Sequence, residues 1–197
     1  MTITDNEKYK TCSQMLDNGN FKEALKIAES ISDDAFRAAI YIDAGFSLEK
    51  SGKVREGIEL FEALLSQESE QKIAKHSLLY NVANGRISLY NLKRKRRKKT
   101  IPTNNDDLQT AKKFYREALQ ALGTETGKSA SQYFINYGNC LSQFGRFSES
   151  IECYHKALEA ESHNGMAAGN LGVELEHVAR LMGRYYHEYI ALAQKLL

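Results

Sequence analysis

Few residues in this chain could carry chemistry. Arg180 and His187 stand seven positions apart, which places them on one face of a helix. An arginine there could balance a phosphorane-like charge while the histidine moves a proton. The alternative is an arginine and a histidine on the solvated side of an amphipathic helix. His76, His155, His163 and His177 are scattered, with no carboxylate at metal-ligand spacing, and neither a phosphate-binding glycine loop nor a GxSxG elbow occurs. Cys12, Cys140 and Cys153 form an odd set without metal or redox spacing. They are expected to pack as small apolar groups in a reducing compartment. The expectation is therefore of no metal, no cofactor and no enzymatic activity.

A second group is purely electrostatic. Seven of the 27 basic residues form one run, Lys93-Arg94-Lys95-Arg96-Arg97-Lys98-Lys99; the rest of the chain carries 20 basic against 25 acidic residues. The formal charge of +2 therefore hides a mildly acidic body with one basic segment. Three readings are open: a solvated loop, a nuclear import signal, or contact with nucleic acid or another polyanion through counterion release. Tyr90 precedes the run and Tyr115 follows it, but no aromatic interleaves the charges, so base stacking is not indicated. The stretch 93–107 has no apolar periodicity and reads as an exposed loop, with Asn105-Asp106-Asp107 capping the next helix.

The elements that must position these groups are helices. In 131–164, Phe134, Tyr137, Gly138 and Leu141 fall at helical spacing, Gly145-Arg146-Phe147 makes a turn, and Ser150, Tyr154, Ala157 and Leu158 line a second helix. The frame recurs in 38–71 with Tyr41, Ala44, Gly45, Leu48, Gly52, Gly57, Phe61 and Leu64. It is weaker in 5–38, with Cys12, Gly19, Phe21 and Ala28. A third unit, 76–123, carries the basic loop at 93–107, about sixteen residues beyond the frame. A fifth, 165–197, is irregular. Its turn does not arrive after Leu175, Gly183 comes late, and the sequence stays helical to Leu196-Leu197. This reads either as the edge of a piece cut from a longer chain or as a long terminal helix covering the last repeat. Asparagine recurs at equivalent places: Asn81, Asn136 and Asn170 share one position, Asn84 and Asn139 another.

This 34-residue helix–turn–helix unit resembles the tetratricopeptide repeat. The resemblance implies an all-α, right-handed superhelix of about five antiparallel hairpins. In that family the first helix of each unit lines a concave face. Here that face would display Tyr9, Ser13, Ile42, Asp43, Phe46 and Glu49, then Tyr80, Asn81, Asn84 and Ile87. Ile135, Asn136, Asn139, Gln143, Asn170 and Val173 would follow. The peptide-binding set within it is Tyr80, Asn81, Asn84, Ile135, Asn136, Asn139, Gln143 and Asn170. Amides offer a donor and an acceptor, so a row of them could pair with the backbone of an extended peptide. The competing role is to tie neighbouring helices together. Positions where some family members clamp a carboxylate with Lys and Arg hold Asn, Ser and Gln here, which points to a mixed groove for a helix or an apolar peptide.

The words LYNVANGRISLYNL (79–92), AKKFYREALQAL (111–122), NYGNCLSQFG (136–145) and GMAAGNLGVELEHVAR (165–180) resemble the N-terminal repeat region of prokaryotic proteins that join tetratricopeptide repeats to a HEPN domain. That resemblance implies a sensor array ahead of an RNA-cleaving effector. The loose HEPN signature, Arg then His after four to six residues, is met by Arg180 and His187. No apolar run is long enough to span a bilayer, and the start lacks a secretory pattern. The expected setting is the cytoplasm, with a protein or peptide partner, nucleic acid at the basic loop as a further option, and room for self-association.

Overall fold

A computed structural model describes residues 4–66, 73–96 and 104–196, with side chains placed for 4–66, 73–95 and 104–183. Among the described residues every regular element is helical and no strand occurs. In chain order these are α1 (Asp5–Asp17), α2 (Phe21–Ala28), α3 (Asp34–Lys50), α4 (Val54–Ser66), α5 (Lys75–Arg96), α6 (Asp106–Leu122), α7 (Lys128–Gln143), α8 (Phe147–Ala160) and α9 (Gly165–Leu196). The chain packs as two compact units, Met1–Ala121 and Leu122–Leu197, where the repeat frame draws one array.

The hairpins close by one device. Gly19, Gly52 and Gly145 each end a helix at positive φ (79°, 86° and 73°). Behind each glycine the next residue's N–H reaches back to the last turn: Asn20 to the Met15 carbonyl (2.8 Å), Lys53 to Leu48 (2.9 Å) and Arg146 to Leu141 (3.1 Å). The glycine N–H itself bonds three residues back, to Leu16, Glu49 and Ser142. This Schellman pattern satisfies carbonyls that the helix end would orphan, and it requires a left-handed residue that only glycine supplies without strain.

In unit 1, α1 packs on α2, α3 on α4, and α4 on α5. One cluster runs through these helices, including Cys12, Ala28, Ile40, Ala44, Ile58 and Phe61. Small residues sit where rings press in. A Cβ on Gly45 would lie 2.0 Å from Cζ of Phe61. Unit 2 repeats the arrangement: α8 packs against both α7 and α9, and a Cβ on Gly138 would lie 2.7 Å from Cε1 of Tyr154. All three cysteines are buried and free, as small core groups.

One expectation about elements changes. The basic segment is not loop from its first residue: α5 runs on through Lys93, Arg94, Lys95 and Arg96, and helix resumes at Asp106. Cations in a last turn favour the negative end of the helix dipole, so the charges extend the helix. Asn105 does cap α6, its Oδ1 accepting from the Leu108 N–H at 3.1 Å. At the other end, α9 runs unbroken from Gly165 to Leu196, helical throughout as its sequence reads, with Gly183 inside the helix. Arg97, Lys98 and Lys99 lie outside the described residues, as do the side chains of Arg96 and His187. No described helix is long and apolar enough to cross a membrane.

Candidate peptide-binding walls

The predicted wall residues fall in both units. In unit 1, α3 contributes Ile42, Asp43, Phe46 and Glu49. Asp43, Phe46 and Glu49 follow at intervals of three, and Ile42 stands four before Phe46, which gathers them toward one side of the helix. Ile42, Asp43 and Glu49 are half-buried, while Phe46 is 45% exposed. Phe46 also meets the edge of Phe61, with centroids 6.5 Å apart. Burial pushes the Asp43 carboxyl above the usual carboxylate range, and the charge of Asp17 adds to that rise. Glu49 accepts a hydrogen bond from the Ser88 hydroxyl of α5.

On α5 the predicted residues divide. Tyr80 is half-buried, its ring 5.9 Å from that of Tyr115. Asn84 is half-buried and accepts from the Tyr115 hydroxyl at 2.7 Å. Asn81 is only 3% exposed, and its Oδ1 has no hydrogen-bond partner among the described residues. It lies in the packed interior of the helix and does not line an open face.

Unit 2 shows the same tie one repeat on. The Tyr154 hydroxyl donates to Asn139 Oδ1 at 2.8 Å, and Asn170 Nδ2 donates to the same oxygen at 2.9 Å. Both lone pairs of that amide oxygen are thus used inside the fold. Asn136 accepts from Gln132 Nε2 at 3.0 Å. Gln143 is half-buried, and its Oε1 has no hydrogen-bond partner among the described residues. Ile135 is fully buried against Ala157 and Ala167. It is a core residue and not a wall residue, because α8 and α9 close over that side of α7.

The helix-tying role therefore accounts for the acceptor half of Asn84 and Asn139. Sequence reasoning named the asparagines and the tyrosines but did not pair them. The signal was available: Asn84 and Asn139 are equivalent, and Tyr115 and Tyr154 are too. A further polar contact escaped notice. Glu174 is 5% exposed; Ser142 Oγ donates to its Oε2 at 3.1 Å, while Oε1 has no partner among the described residues.

The basic segment is partly committed. Asp107, 5% exposed, is gripped by Lys93 Nζ and by Arg86 Nη1, the latter at 3.6 Å. Arg86 also reaches Glu62 at 2.7 Å. These groups border a cleft of about 400 Å³ together with Arg55 and Glu59. Arg94 and Lys95 are exposed. As for the proton-transfer pair, Arg180 is solvent-facing and ion-paired with Glu176 one turn away at 2.6 Å. An exposed guanidinium on a helix surface offers no dry pocket for phosphoryl chemistry. Among the described residues no group of His, Cys, Asp and Glu could hold a metal.

Comparison with known proteins agrees with the helical-repeat fold. Residues 131–164 match the family model described as tetratricopeptide repeat. Among solved structures the chain is similar to BtubC (BKLC) from P. vanneervenii, with a TM-score of 0.63 and 15% identity, over 95% of this chain and 80% of that one. It is also similar to MamA, with a TM-score of 0.58 and 14% identity over 92% and 94% of the two chains. MamA AMB-1 gives a TM-score of 0.54 and 17% identity over 89% and 83%. At these identities the likeness is one of fold: an all-helical chain of the tetratricopeptide-repeat kind. No curated protein matches the sequence.

Proposed function

We propose that this chain is a non-enzymatic, cytoplasmic interaction scaffold that holds a peptide or helix of a partner protein against the inner faces of its first-of-hairpin helices. The observation that most supports this is Phe46. Among the described residues it is the only exposed aromatic, and it stands beside Ile42 and a carboxylate, Asp43, that burial disfavours. A large apolar ring in water next to a charge kept at an energetic disadvantage fits a surface awaiting a ligand. The acidic groups Asp17, Asp43 and Glu49 favour a ligand that pairs an apolar anchor with a basic group. In unit 2 the wall would use Asn136, Asn139, Gln143 and Asn170, with the Asn136 and Asn139 oxygens already engaged.

The test is peptide selection on the full chain, followed by variants. Phe46→Ala and, separately, Asn136→Ala should each weaken the selected peptide at least about tenfold, as for an anchor residue. Melting should be nearly unchanged. If both variants bind as tightly as the parent chain, the reading fails.

A second reading rests on Arg94 and Lys95, exposed at the end of α5. In it the chain is the regulatory region of a HEPN-type RNA-targeting effector, and the segment Lys93–Lys99 touches RNA. RNA affinity that falls steeply with salt, and vanishes when Arg94 to Lys99 are neutralised, would favour it. No RNA binding at low salt would exclude it.

A further inference from the structure

Three residues of α7 meet the second helix of the same hairpin or the core beneath it: Ile135, Gly138 and Leu141. All three are buried, and Gly138 lies under the Tyr154 ring. Thirty-four residues on, the same register falls on α9 as Gly169, Gly172 and Leu175. Every one of these is exposed. A Cβ on Gly172 would meet nothing within 4 Å, whereas on Gly138 it would strike Tyr154 at 2.7 Å and on Gly45 it would strike Phe61 at 2.0 Å. Beyond them Met182, 69% exposed, extends the open side. The opposite side of α9 is shut, with Ala167 fully buried and Glu174 nearly so.

The register of the α7–α8 interface thus continues one repeat further on α9, and among the described residues no second helix lies over it. We propose that α9 is a docking site for an amphipathic helix of a partner protein. The repeat says what that helix must carry. An aromatic ring belongs over Gly172, as Phe61 lies over Gly45 and Tyr154 over Gly138. A large aliphatic side chain belongs over Gly169, because the glycine leaves the space that Ile135 fills on α7. Helix-in-groove recognition of this kind uses anchors at i and i+3 or i+4. This site is formed by other residues than the walls of the preceding section and does not depend on them.

The chain itself provides a probe. The sequence of α4, Val54–Ser66, carries Phe61 and, three residues later, Leu64. At the place of Leu64, α8 has only Ala157. A fluorescent peptide of residues 54–66, with Arg55→Lys so that a lactam between that lysine and Glu59, both at exposed positions, holds it helical, would be titrated into the full chain. Saturable binding is expected. Gly172→Leu in the chain, or Phe61→Ala in the peptide, should each weaken it at least about tenfold. Gly172→Leu fills open space on a helix surface, so the melting temperature should hold or rise, which separates lost docking from lost folding. Three results would overturn the proposal: no saturable binding; binding that survives Gly172→Leu, which means exchange with the resident α4; or sedimentation showing a dimer that Gly172→Leu dissociates, which makes a second copy the occupant.

Discussion

A single repeat position shows how residue identity is set by what lies opposite. Gly138 and Gly172 are equivalent in the frame, yet their surroundings predict opposite consequences for the same change. At Gly138 an added methyl must displace Tyr154, whose hydroxyl is anchored on Asn139, and it also crowds Cβ of Cys153 at 3.2 Å. Overpacking of this kind costs about 1–3 kcal/mol, against about 1 kcal/mol gained from replacing glycine in a helix. Gly138→Ala should therefore lower stability by up to about 2 kcal/mol on those two terms. At Gly172 the overpacking term is absent, and Gly172→Ala should raise stability by up to about 1 kcal/mol. Urea midpoints of the two variants check the pair; destabilisation by Gly172→Ala would mean that its face is not open. The tie above Gly138 can be removed separately. Tyr154→Phe keeps the ring and deletes the hydroxyl, so it should cost about 1 kcal/mol. The need for small residues at these positions was legible in the sequence. The hydrogen bond was not, because an asparagine at a repeat position looks the same whether its oxygen faces a ligand or a tyrosine fifteen residues away.

Among elements, the hairpins were the easiest to read and the helix ends the hardest. A glycine at a fixed place after each first helix announces the turn, and Gly19, Gly52 and Gly145 all adopt the left-handed conformation that the spacing implies. The end of α5 gave no such signal. Seven like charges read as loop because they repel, but the sequence could not show that Lys93 has a buried partner fourteen residues later. That partner, Asp107, sits in the first turn of α6, where the helix dipole also favours a carboxylate. Ile135 failed for a related reason: only the course of the following helices decides whether an apolar residue on α7 meets water or α8. The Asp107 contact joins two elements across the basic segment, so its loss should be felt in both. Asp107→Ala removes a nearly buried carboxylate with two cationic partners and should cost about 1–3 kcal/mol. Lys93→Gln, altering a half-exposed partner, should cost under about 1 kcal/mol. Hydrogen exchange at the end of α5 and the start of α6 should quicken together in Asp107→Ala. If only α6 responds, the two helix ends are not coupled through this carboxylate.

For the molecule as a whole, the titratable groups define a pH window of stability with unequal sides. On the alkaline side, burial is the leading cause that pushes up Cys12, Tyr41, Tyr137, Cys153 and Tyr154, and Cys153 reaches about 12. These acids ionise more readily in the unfolded chain than in the native one. Between their ordinary values, about 8.5 for a thiol and 10 for a phenol, and the raised native values, the native state therefore holds more protons. Stability must fall as pH rises through that interval. On the acid side, hydrogen bonds from Asp33 and Thr4 backbone groups hold Asp5 and Glu7 below the usual carboxylate range, and the Lys156 hydrogen bond does so for Glu152. Their contribution is present above the ordinary carboxylate values and fades as pH drops through the lowered native ones. These three carboxylates are at the surface and screened, so the acid limb should be shallow, whereas the alkaline limb draws on buried groups in both units and should be steep. Urea midpoints measured from pH 4 to 11 should form a plateau with its sharper edge above pH 9. Cys153→Ala removes the group with the largest resolved rise and should flatten that edge, while leaving the acid limb as it was. An alkaline edge of unchanged slope in Cys153→Ala would show that this thiol ionises freely in the folded protein, which its burial forbids.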